Sequence, residues 1–535
     1  MVTFILFIAL VLFLIGYIFY GRFLEKQYEV KEDEKVPSKT NFDGIDFIPT
    51  NKFILLGHHF SSIAGAGPIV GPIIAGMAYG WLPGILWIVL GTLFIGGLHD
   101  FSALIASVRN KGKSIGEVAK LYMGEKVYKI FLLFIWFSLI YVITVFTDLA
   151  ATTFAEEPPV AQVNVGYIFI ALIFGFTLYR LKINLPLATL FSLFLIGIIL
   201  FFSLEKSLIN LSKEVWIWIL LIYCFFASIL PVWVLLQPRD YLSSFLLYSI
   251  LIVGIFGIFF GNYQISYPAF LSFNPQIGPL FPFVFITVAC GAVSGFHSLV
   301  SSGTTSKQLD NIKNARFVAY GGMILEGILA VIALSTVMIL SKDLIKSAKI
   351  PLEIFSLGIS QFVSLIGLNP KIGLIYGYLA ISAFILTTLD TATRISRYVL
   401  QEFLNISGSS LKLRTIMTFL CLILPILLLH IKFYAPEGTQ IPAWKIIWPI
   451  FGATNQLLAA LVLLTIYVWI RNFKPGKYLF ILIPTIFMII TTLSALIYII
   501  FGKFKLNIIT LIGFILIILA LYMIIESLKV LSFER

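Results

Sequence analysis

The run from Gly57 to Gly76, GHHFSSIAGAGPIVGPIIAG, is apolar and long enough to cross a bilayer. Yet it holds two histidines, a serine pair, five glycines and two prolines. A lipid-facing helix has no use for that mixture. Backbone at membrane depth unwinds only where it is buried in protein or lines a cavity. Gly65 and Gly67 let another backbone or a ligand approach closely. Pro68 and Pro72 each withhold an amide donor and so expose a carbonyl. Exposed carbonyls suit a cation, and the N-terminus of a half-helix suits an anion. Such an interrupted span points to a site where a small solute is bound within the membrane. The plainer alternative is a kinked packing helix with small-residue contacts.

A second interrupted stretch, ACGAVSGFHSLVSSGTTSKQL, begins at Ala289. The two read as a matched pair. Candidate substrate contacts are His59, Ser61, Ser62, Gly65 and Gly67 in the first, and Gly291, Ser294, Gly295, His297 and Ser298 in the second. The run from Ala380, AISAFILTTLDTATRISRYVLQE, adds Thr387, Asp390, Thr391 and Arg394 on one helix face. With Ala64, the hydroxyls of Thr387 and Thr388 can complete an oxygen shell for a small monovalent cation. Alternatively Asp390, or Glu326 near the middle of its own span, takes up and releases a proton, since an ionisable group inside a span is a functional candidate by default. Asp390 and Arg394 can also simply pair with each other. Asp100 beside His99, and Arg239, Asp240 and Arg394, are candidate gating groups or internal ion pairs. Thr454, Asn455 and Gln456 either hold helices together or line the path. No CxxC or HExxH spacing accompanies His58, His59, His99 and His297, so no metal and no other cofactor is expected. No nucleophile–base pair signals an enzyme.

These groups need a scaffold. Of 535 residues, 60% are hydrophobic and only 12% charged, where soluble domains carry about 25%. The chain reads as an all-α polytopic membrane protein surrounded by lipid. At about 20 residues per span, the apolar runs number about fifteen: 2–20, 53–79, 81–106, 128–150, 163–179, 185–203, 215–236, 243–261, 280–300, 317–340, 371–398, 413–430, 446–470, 479–500 and 506–527. The net charge of +12 resides mostly in alternate loops, which the positive-inside rule explains without nucleic acid. That rule places the N-terminus outside and the C-terminus in the cytoplasm. The inside loops then include 107–127, 301–316, 394–414 and 471–477, the last with Arg471, Lys474 and Lys477. The segment 341–370, interrupted by Pro351 and Gly358, reads as one or two short helices over the outer mouth. Cys224, Cys290 and Cys421 lie in apolar runs and read as core residues.

Taken in order, GHHFSSIAGAGPIVGP, GGLHDFSALIASVRNKGKSIGE, PVWVLLQPRDYLSS, SGFHSLVSSGTTSKQL, TTLDTATRISRY and WPIFGATNQLLAAL resemble the carbon starvation protein A family. The resemblance implies an inner-membrane uptake system for peptides or, proton-coupled, for pyruvate. It also implies a LeuT-like (APC-type) inverted repeat with two discontinuous helices and extra peripheral helices. Six full spans separate the broken ones where a five-helix repeat leaves four, so two helices are inserted. The resulting expectation is a single transmembrane domain over 1–535. It has an N-terminal helix and cytoplasmic loop (1–52), a core (53–470) and a C-terminal helix pair (471–535). It would import peptide or pyruvate with H+ or Na+. A passive channel and a sodium-coupled amino-acid carrier are the alternatives, and the oligomeric state is left open.

Overall fold

A computed structural model describes all residues except 44–46, 206, 232–233, 407–409, 435–439, 474–475, 477, 504–507 and 534–535. Lys474 and Lys477, counted above in an inside loop, lie outside the described residues. In hydrocarbon every backbone amide must find an internal partner, so each long apolar run closes into a helix. Among the described residues, twelve helices are long and apolar enough to cross a membrane, or thirteen if the bent pair Lys52–Ile63 and Gly67–Tyr79 is one span. The chain is a multi-pass membrane protein. The other two expected spans take a different form. Residues 215–236 give the helix Lys213–Ile229, of 17 residues. Residues 280–300 are cut into Leu280–Thr287 and Gly295–Val300.

Burial sorts the helices. The most apolar window of Ala443–Phe473 is 100% buried, whereas that of Leu185–Glu205 is 28% buried and faces outward. Arg316–Ile339 and Pro370–Phe403 are also largely enclosed. These three surround the two broken spans.

The broken spans run in opposite directions. At one end the Thr50 amide donates to the Gln308 carbonyl at 2.9 Å. At the other, the Tyr79 hydroxyl donates to the Gly278 carbonyl at 3.0 Å. The start of the first thus meets the finish of the second. The 341–370 segment forms two short helices, Lys342–Ser347 and Pro351–Ser364. They follow Met338, whose carbonyl accepts from the Ser266 amide at 2.8 Å, so they share an end with the 262–279 loop. The opposite end gathers Arg109 and Arg316 against Glu34 and Glu25 of the N-terminal segment.

Candidate functional site

The first break bends the chain by 47° between Ile63 and Gly67. Residue 68 has no N–H to give to the Ala64 carbonyl, and residue 72 none for that of Pro68, so the helix ladder lapses there. The second break spans Val288–Ser294. Its carbonyls are recovered from outside: Trp87 Nε1 donates to Val288 O at 3.2 Å and Thr92 Oγ1 to Gly291 O at 3.2 Å. Asn455 secures the restart. Its Oδ1 accepts from the Phe296 amide at 3.1 Å, and its Nδ2 donates to Ser294 Oγ at 3.0 Å.

The two breaks lie directly on one another. A Cβ at Gly67 would collide with Cys290, one at Gly71 would stand 2.5 Å from Thr287 O, and one at Gly291 would stand 3.4 Å from Pro68 Cα. A Cβ at Gly65 would collide with the Thr388 hydroxyl. Along this seam runs a narrow cavity lined by Gly65, Gly67, Cys290, Ser294, Thr388 and Asn455, with apolar walls that include Phe146, Phe296 and Phe451. It offers ≈ 10 Å³ to water centres, room for about one water molecule. The seam is closed in this conformation.

Three of the ten expected substrate contacts, Gly65, Gly67 and Ser294, line that cavity. The others are engaged elsewhere. Ser61 and Ser62 donate to the His58 carbonyl, at 3.1 and 2.8 Å, and Ser298 to the Gly295 carbonyl at 2.7 Å. His59 Nδ1 meets Thr305 Oγ1 at 2.9 Å. Gly291 and Gly295 serve close packing, the latter against the backbone of Asn455 and Ala459. Thr388 reaches the cavity, whereas Thr387 is not in its lining. Both hydroxyls donate to their own helix, to Phe384 O at 3.0 Å and Ala383 O at 2.9 Å. Ala64 sits at the break with φ −79° and ψ 69°.

Beside the seam lies a histidine–carboxylate cluster. Asp100 Oδ1 is 2.8 Å from His99 Nδ1, and its Oδ2 is 3.0 Å from His297 Nδ1. His297 Nε2 is 3.2 Å from Glu326 Oε2, close but not aligned for a hydrogen bond. All four side chains are fully buried. Asp100, a candidate gating group, is held inside by two imidazoles.

A second buried network surrounds Arg239. Its guanidinium forks onto Asp390, with Nη1 on Oδ2 and Nη2 on Oδ1, the latter at 3.1 Å. Nη2 also donates to Asp240 Oδ1 at 2.9 Å and Nη1 to Leu386 O at 3.2 Å. Tyr223 completes it, donating to Asp390 Oδ2 at 2.9 Å and accepting from Arg239 Nη1. Arg239 and Asp240 therefore form an internal network with Asp390. Arg394 does not pair with Asp390. Its Nη2 donates to Ala227 O at 2.5 Å and Leu230 O at 2.6 Å, capping the end of Lys213–Ile229.

Sequence reasoning missed Tyr223, which sits in an ordinary apolar run, and also Phe146, Phe296 and Phe451. Cys290, read as a core residue, is buried and also lines the seam. Its place inside the second break was the available signal. Asn455, flagged as either a helix tie or part of the path, ties its helix to the second break and borders the seam cavity.

A family model described as "Carbon starvation protein CstA" matches residues 1–351 and 341–495. "Peptide transporter CstA" of Escherichia coli (strain K12) is 30% identical, over 90% of this chain and 79% of its own length. The protein of the same name from Helicobacter pylori (strain ATCC 700392 / 26695) is 33% identical over 87% and 76%. "Pyruvate/proton symporter BtsT" of Escherichia coli (strain K12) is 29% identical over 90% and 80%. Among solved structures, an Eremococcus coleocola manganese transporter aligns over 93% of this chain and 99% of its own at 12% identity. Its TM-score is 0.47, too low to carry a fold assignment.

Proposed function

The chain belongs to the carbon starvation protein CstA family, and from that premise we propose that this transporter is a proton-coupled symporter importing short peptides or pyruvate across the cytoplasmic membrane. The observation that carries the reading is the seam: two antiparallel broken spans packed face to face around a cavity now closed to about one water. A transporter of this type alternates by rocking one bundle against another around a midplane site. Neither pyruvate nor a dipeptide enters that seam until the spans part. The substrate carboxylate would face the start of the half-helix Gly67–Tyr79, with Ser294 and Asn455 supplying hydrogen bonds.

The opposed directions of the two breaks support a LeuT-like inverted repeat with two inserted helices and fifteen crossings in all. In this reading 53–470 is the core of a single domain, flanked by 1–52 and the helix pair in 471–535. The N-terminus lies outside and the C-terminus in the cytoplasm. Proton coupling is preferred because the buried carboxyl group of Glu326 lies beside His297 of the second broken span. One observation favours sodium as a second reading. The Thr388 hydroxyl abuts Gly65, next to the Ala64 carbonyl that lacks a helical donor.

The test is uptake into proteoliposomes. Labelled pyruvate or dialanine should accumulate under an inward proton gradient, and an uncoupler should abolish that accumulation. Accumulation that ignores the uncoupler and follows an imposed sodium gradient would replace the proton by sodium. Passive flux indifferent to both gradients would make the chain a channel.

A further inference from the structure

The histidine–carboxylate cluster has a property that the Arg239 network lacks. Among the described residues no Lys or Arg pairs with Asp100 or Glu326, and neither oxygen of Glu326 has a hydrogen-bond partner. The tautomer of His297 follows from its neighbours. Asp100 accepts on both oxygens, from His99 Nδ1 and His297 Nδ1. With its Nδ1 hydrogen committed to Asp100, a neutral His297 leaves a bare Nε2 lone pair 3.2 Å from Glu326 Oε2. An ionised Glu326 would then set two acceptors against each other in a buried, water-poor space, which is strongly unfavourable. One proton between them removes the conflict, on Nε2 or on the carboxyl.

The partners sit on different kinds of element. His297 belongs to the second broken span, in the first turn after the break, and Glu326 to the continuous helix Arg316–Ile339. If the broken span shifts to open the seam, Nε2 and Oε2 separate and the reason for holding the proton goes with them. The other titratable groups around the pair are few. Asp100 and His99 come from Trp81–Arg109, His59 from the first broken span with its ring against Gly322, and Cys290 from the second break.

The geometry points to the His297–Glu326 pair as the carrier of the coupling proton, loaded while the pair is in contact and released when the second broken span moves away, with Arg239–Asp390 fixed throughout. This rests on the proton-symport reading above. The step balances simply. A proton from one aqueous side forms an N–H or O–H bond within the pair, that bond later breaks to water on the other side, and no electrons move.

The experiment uses full-length protein in liposomes with radiolabelled pyruvate and dialanine, plus an internal pH dye. Glu326→Gln keeps a polar partner for Nε2 but cannot exchange a proton. It should lower gradient-driven accumulation and substrate-linked proton entry by about tenfold or more. Substrate exchange without a gradient should fall by no more than about threefold. Accumulation and proton entry at wild-type levels in this variant would overturn the inference while leaving the symporter reading intact. No uptake of either compound by the wild type would sink that reading itself. If Glu326→Gln does not fold, Glu326→Asp decides, since it keeps an acid but draws it back from His297. It should move the pH midpoint of uptake by about half a unit or more, and an unmoved profile would overturn the proposal.

Discussion

Two buried charge clusters stand within one bundle, and they are built on opposite principles. Asp390 accepts three hydrogen bonds, two from a forked guanidinium and one from a tyrosine hydroxyl, and a second carboxylate shares the same arginine. Among the described residues, Glu326 has one misaligned imidazole beside it and no hydrogen-bond partner. Both carboxyl groups are fully buried, so burial alone does not separate them. A carboxyl gripped by a forked guanidinium acts as a rivet between helices. One without that grip has no fixed partner for its charge and is free to exchange a proton. The comparison teaches that an acid inside a membrane span is sorted by its hydrogen bonds more than by its depth.

The hardest blow to this contrast is Asp390→Asn, which leaves the Arg239 charge buried with Asp240 as its remaining carboxylate. Breaking a buried pair of this kind costs about 3–5 kcal/mol, so thermal unfolding in detergent should shift strongly downward and uptake should vanish. A wild-type melting profile would mean that Asp390 is not a rivet. A smaller effect sharpens the point. Tyr223→Phe deletes one charge-assisted hydrogen bond to Asp390 and should cost about 2 kcal/mol in the same assay. No loss would show that the tyrosine contact adds nothing to the grip on Asp390.

The seam between the clusters is tested by Gly65→Ala, whose methyl collides with Thr388 Oγ1. Overpacking should cost about 1–2 kcal/mol and slow substrate exchange. Adding Thr388→Ala should restore most of both, as a double-mutant cycle would read. Failure of the second change to rescue would place the strain elsewhere. The mildest expected effect comes from the Arg109–Glu34 fork, with contacts of 3.0 and 2.9 Å. It resembles the Arg239–Asp390 fork but sits at the wet edge of the bundle. Glu34→Gln should cost about 0.5 kcal/mol, and a cost near that of Asp390→Asn would erase the distinction drawn from burial.

Much of the site was legible in the residues themselves. Gly65, Pro68 and Pro72 announced the first break, and Ser294 with Gly295 announced the second, because a missing N–H or Cβ acts on the chain's own next turn. Asn455 was conspicuous as an amide in an apolar run. Glu326 and Asp390 were visible as charges within spans. Their partners were not. The neighbour that spacing offered Asp390 was Arg394, four residues on, yet the true partner is Arg239, 151 positions away. Arg394 turns instead to carbonyls of another helix. Likewise His297 read as a substrate contact, and its position between Asp100 and Glu326 depends on three helices crossing.

By itself the sequence determined that the chain lives in a membrane, where its helices run and where two of them must fail. Those are consequences of local composition, since hydrocarbon offers the backbone no hydrogen bonds and proline offers it no donor. The tertiary structure alone decided which buried charge is clamped, which is left exchangeable and how tightly the seam is shut. Each of those depends on the distance between side chains far apart in the chain, and such distances are set only when the helices pack.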